Sequence, residues 1–86
     1  MKKHELVKIF AEAVKNNAEY TGVCVETVGM PHYEIVINKY ENLDKKLEYY
    51  INTYTDDLVL KTFDGIKIVK AGYANTLKER EEKLGL

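Results

Sequence analysis

Residues 42–71, NLDKKLEYYINTYTDDLVLKTFDGIKIVKA, change their hydrophobic period partway along, and that change decides the fold class. Leu43, Leu47, Tyr50, Ile51 and Tyr54 recur at i, i+4, i+7, i+8 and i+11, one apolar stripe at the helical period. Asp44, Lys45, Glu48, Tyr49 and Asn52 take the opposite side. The period then drops to two. Leu58–Phe63 and Ile66–Val69 flank Asp64-Gly65, a pair that suits the positive φ angles of a type I′ hairpin turn. A helix of about 12 residues and a lone hairpin are each marginal in water, so both must pack on the rest of the chain.

Working outward, residues 3–18 predict a first helix. Leu6, Phe10, Ala13, Val14 and Asn17 line one side, and Val7, Ala11 and Ala18 widen the stripe. Asn16-Asn17 is a fraying point, and Thr21-Gly22 closes the connection. Residues 22–28 read as a strand, Gly29-Met30-Pro31-His32 as a turn, and residues 33–40 as the returning strand with Tyr33, Ile35 and Ile37 on one face. Asn42 is an N-cap candidate for the central helix. After the hairpin, Ala71-Gly72-Tyr73-Ala74 reads as a bend. Thr76 with Glu79 forms a capping box for a short helix over 76–84, which Gly85 stops. VCVETV at 23–28 matches LVLKTF at 58–63 in pattern, a faint echo of duplication.

The expectation is a single α+β domain over residues 1–86: a four-stranded antiparallel sheet with two helices on one face and a short C-terminal helix, in the order αββαββα. Val23, Val25, Ile35, Ile37, Leu58, Leu60, Ile66 and Ile68 would form the face under the helices. The opposite face would carry Cys24, Val28, Val36, Val59, Phe63 and Val69 among Glu26, Glu34, Lys61 and Lys67. A solvated face is normally more polar, so a covering element or partner is expected there. Candidates are the terminal helix through Leu77 and Leu84, a second copy, or another protein.

Thirteen basic residues against fourteen acidic ones give a net charge of −1, so no general field draws the chain to nucleic acid or anionic lipid. The single cysteine, Cys24, cannot form an intramolecular disulfide, and a reducing cytoplasm is the expected compartment. Glu5, Lys8, Glu12 and Lys15 interrupt the N-terminal apolar stretch, which therefore reads as an amphipathic helix and neither a signal core nor a membrane span.

The chemistry-bearing residues do not assemble into a catalytic or metal motif. His4 and His32 lack metal-ligand spacing, and no cofactor or metal is expected. Cys24, in a Val-Cys-Val run, reads as a strand residue; His32 is the one base that could approach it. Asp56-Asp57 end the central helix and Asp64 serves the turn. Gly65 and Gly72 form no phosphate-binding loop.

Seven tyrosines in a chain without tryptophan are the most unusual feature of the composition. Tyr50 and Tyr54 fall on the core stripe, whereas Tyr49 falls off it and Tyr40 lies on the second face of the sheet. Together with Val36, Val59, Phe63 and Val69 they are the interface candidates. Lys39, Lys61, Lys67 and Lys70 with Tyr40 and Phe63 offer an alternative, a nucleic-acid-binding face that Glu26 and Glu34 would partly cancel.

Leu47-Glu48-Tyr49-Tyr50, Tyr54, Asp57-Leu58 and Ile66-Lys67-Ile68-Val69 resemble small proteins of unknown function from Firmicutes bacteria and their prophages. The resemblance covers about a third of the chain and implies a phage or mobile-element origin without an activity. The expected function is a non-enzymatic protein-interaction or structural module, with a homodimer as one form of the interaction.

Overall fold

The computed structural model describes residues 1–74, which form two α-helices, a three-stranded sheet and one 3-10 turn. Helix α1 spans Lys3–Lys15. The Glu5 carboxylate accepts the Lys2 backbone N–H at 2.9 Å, satisfying one donor at the helix start. The other end is held more firmly than Asn16-Asn17 suggests. Asn17 takes φ 54, its N–H reaches the Val14 carbonyl, and the Ala18 N–H reaches the Ala13 carbonyl. That is the Schellman arrangement, and asparagine is the residue after glycine that tolerates its left-handed position.

Strands β1 (Tyr20–Thr27), β2 (Glu34–Lys39) and β3 (Ile66–Ala74) pair antiparallel in the order β2-β1-β3. Helix α2 spans Leu43–Thr53 and follows a 3-10 turn over Tyr40–Asn42. Asn42 holds the N-cap position without a side-chain cap bond. Helix α1 packs on β3 and β1, and α2 packs on β2 and α1, so both helices share one face of the sheet.

The core joins Leu6, Phe10 and Ala13 of α1 to Leu43 and Tyr50 of α2, over Val23, Val25 and Ile68 of the sheet. Phe10 meets Tyr50 edge-on at 6.2 Å between ring centroids, and Tyr50 meets Tyr54 at 5.9 Å. At roughly 1.5–3 kcal/mol for each fully buried large apolar side chain, this layer is the main source of stability. Tyr50 and Tyr54 occupy the core, as their helical spacing predicts.

Two features correct the expected fold. The sheet has three strands, not four, because residues 58–63 never become a strand. The Thr55 N–H reaches the Val59 carbonyl at 2.8 Å, the Leu58 N–H returns to the Thr55 carbonyl, and Leu58 takes φ 58 to bury its side chain completely. Only isolated bridges, Tyr54 to Leu60 and Val59 to Lys67, remain of the expected hairpin strand. The Leu60 N–H reaches the Ile66 carbonyl, and a turn does form over Asp64-Gly65 with the Ile66 N–H on the Phe63 carbonyl at 3.3 Å. Neither turn residue takes a positive φ, so it is not the expected type I′ turn. A Cβ at Gly65 would stand 2.6 Å from the ring of Phe63, an exposed side chain that can turn aside. The pairing freed from 58–63 goes to β3, which runs through Ala71–Ala74 where a bend was expected.

The second correction concerns β2. Val23 lies opposite Val36, and Thr21 opposite Asn38, so Val36 and Asn38 turn toward the helices. Ile35 and Ile37 share the other face with Cys24 and Gly22. Both alternations of IVI are apolar, so the loop length sets the register, and a shift of one residue exchanges the faces. The capping box of Thr76 and Glu79 and the terminal helix lie outside the described residues.

Candidate functional site

Helices α1 and α2 run antiparallel. The Lys3 ammonium reaches the Ile51 carbonyl at 2.8 Å and the Lys3 N–H reaches the Asp56 carbonyl, which places the start of α1 beside the end of α2. At the opposite end Phe10 and Val14 stand against Leu43 and Asp44. Between the helices an open groove runs along the outer surface. Its deeper part is lined by Val7, Phe10, Ala11 and Val14 of α1 with Leu43, Asp44 and Leu47 of α2. It continues past Val7 and Ile51 to Lys3, His4 and Asp56.

The apolar residues of this groove are open to solvent. Val14 is 45% exposed, Val7 37% and Ile51 36%, and Ala11 is exposed between them. Two exposed rails flank it. On α1, Lys8 and Lys15 stand three residues before and four after the groove residue Ala11, which puts them on the same side of the helix. On α2, Glu48 lies four residues after Asp44 and three before Ile51. One rail is basic and the other acidic. Among the described residues the ion pairs join Lys2 to Asp57 and Lys67 to Glu26, so none of the four rail charges has an ion-pair partner among them.

The residues singled out from the sequence do not converge. Tyr40 is half exposed at the 3-10 turn, in a depression with Glu19, Tyr20, Lys39 and Glu41. Tyr49 is half exposed on α2, its ring edge-on to Tyr50 at 5.5 Å and the Lys46 ammonium 5.8 Å above it. Val36 packs against the core. Val59 and Phe63 lie in the segment between α2 and β3, Phe63 exposed and Val59 half-buried. Val69 sits at a break in the ladder, where Cys24 faces Lys70 and Val25 faces Ile68. The groove residues Val7, Ala11, Leu47 and Ile51 were readable as a stripe wider than one sheet contact needs. A wide stripe signals a second neighbour, and that signal went to core packing instead.

The four lysines of the nucleic-acid reading are also dispersed. Lys61 lies beside the C-terminal end of α2, its N–H on the Thr53 carbonyl. Lys39 pairs opposite Tyr20 and Lys70 opposite Cys24, four residues apart along β1, and Lys67 lies 3.8 Å from Glu26.

The reactive groups take ordinary positions. Burial raises the Cys24 thiol above its usual pKa, Lys70 pulls it back and Glu26 raises it further, so the thiol holds its proton at neutral pH. Among the described residues no hydrogen bond joins Cys24 to His32, which lies in the exposed turn after Pro31. Asp57 is held below the usual carboxylate range by its hydrogen bond and charge pair with Lys2. No group of three or more metal-ligating side chains occurs among the described residues, and no described helix is long and apolar enough to cross a membrane. Compared with family models, curated proteins and solved structures, the chain gives no match.

Proposed function

We propose that this chain is a non-enzymatic interaction module that works in the cytoplasm, and that the groove between α1 and α2 is its docking surface. One observation carries the reading: solvent-exposed Val7, Ala11, Val14 and Ile51 lie between two rails of charge that have no ion-pair partner within the described chain. Contiguous apolar surface rimmed by polar groups is the usual make-up of a protein contact. Covering it removes apolar area from water, at roughly 25 cal/mol per Å², while the rails set partner choice and orientation.

The test is photo-crosslinking from a benzophenone placed at Ala11→Cys, with Cys24→Ser as background and Thr62→Cys as a control in the exposed loop. Adducts to protein are expected from position 11 and not from position 62. Equal adducts at both positions, or none at position 11, would refute the assignment.

A further inference from the structure

We infer that the groove receives a second copy of this chain, related by a two-fold axis running along the groove. The inference rests on the groove being the docking surface proposed above, and adds the identity and orientation of its occupant. Charge complementarity carries it. A two-fold axis parallel to the helices exchanges left and right while keeping height along the groove. The basic rail of each α1 therefore lands over the acidic rail of the partner's α2.

The heights agree to within the reach of a lysine side chain. Val14 and Asp44 line the same part of the groove, so Lys15 is level with Asp44. Val7 shares the groove with Leu47 and, further along, with Ile51, which puts Lys8 between the heights of Glu48 and Ile51. The two lysines are about 10 Å apart along α1 and the two carboxylates about 6 Å apart along α2, an offset that a lysine side chain spans. The rotation sets Lys15 against Asp44 of the partner subunit and Lys8 against Glu48 of the partner subunit, each contact made twice. This is the self-complementarity that an isologous interface requires. The other in-plane axis, perpendicular to the helices, lays α1 on α1 and brings lysine rail against lysine rail. That arrangement is disfavoured by like-charge repulsion. The helices of the two copies then form an antiparallel four-helix layer, with the apolar groove residues closed between the two sheets.

Glu12 on α1 and Lys45 on α2 carry the opposite sign to their rails. They stand one step further round each helix from the groove, so they weaken the rails without reversing them.

The test is a charge exchange read by light scattering, with circular dichroism confirming that every variant is folded. The wild-type chain is expected to dimerise. Lys8→Glu with Lys15→Glu, or Asp44→Lys with Glu48→Lys, should each raise the dissociation constant by about tenfold or more, since several rim pairs turn from attractive to repulsive. The four changes together should restore association to within a few-fold of wild type. A wild-type monomer at all concentrations, or a fourfold variant no tighter than the double ones, overturns the inference. Val7→Asp with Val14→Asp separates this failure from failure of the groove itself. A dimer that this pair dissolves but the charge reversals leave intact overturns the two-fold geometry and keeps the groove. A dimer that neither set disturbs overturns both.

Discussion

Thr21 on β1 stands directly across the ladder from Asn38 on β2, and both are buried beneath the helices. The Asn38 amide donates to the Tyr50 hydroxyl at 3.4 Å, a long bond, while the Thr21 hydroxyl has no hydrogen-bond partner among the described residues. A polar seam thus crosses an otherwise apolar layer. Burying an unpaired hydroxyl costs about 1–3 kcal/mol, whereas an apolar group of the same shape in that place costs nothing comparable. Thr21→Val should therefore stabilise the fold by about 1 kcal/mol in urea denaturation. A loss of similar size would mean that the hydroxyl has a partner after all.

Leu58 holds a left-handed backbone at φ 58 while its side chain is completely buried. The backbone costs about 1–3 kcal/mol, and the burial returns about the same or slightly more. The side chain and not the backbone thus keeps the segment between α2 and β3 in place. Leu58→Ala should cost about 2–5 kcal/mol, because the cavity appears and the strain stays. Leu58→Gly relieves the strain but should remain destabilising. Thermal melts of the two variants beside wild type measure both effects.

Tyr50 links stability to pH. Burial is the main force raising its phenol above the usual 10.0, with the nearby Tyr49 adding to it and the Asn38 hydrogen bond opposing it. A raised pKa means that the folded state binds the proton more tightly than the unfolded state. The associated stability is complete below the unfolded pKa and is lost as pH rises through the folded one. Chemical denaturation between about pH 8 and pH 11 should show falling stability. Tyr50→Phe should flatten part of that fall, and Tyr54, also raised chiefly by burial, accounts for a further part. An identical slope in wild type and Tyr50→Phe would remove Tyr50 from this role.

The sequence makes the helices legible because their stripes are long. Leu43, Leu47, Tyr50 and Tyr54 fix α2, and Leu6, Phe10 and Ala13 fix α1. Asp64-Gly65 turn the chain as their residue types suggest, but the strand expected before them gives way to the burial of Leu58. The chain turns between Thr55 and Leu58 where that side chain enters the core, which leaves Val59 and Leu60 in isolated bridges rather than a strand. The face of β2 was not legible, because Ile35, Val36 and Ile37 suit either side and only register with β1 decides. The candidate surface was half legible. Tyr40 and Tyr49 are exposed as expected, but at separate places, while the groove is built from residues that also read as core.

The most direct measurement is the mass of the wild-type chain in solution, by light scattering over a wide concentration range at low and at high salt. The mass should rise from 9.9 kDa toward twice that value with concentration, and the rise should move to higher concentration as salt screens the lysine and carboxylate rails. A mass of 9.9 kDa at every concentration and salt would contradict the paired-groove account.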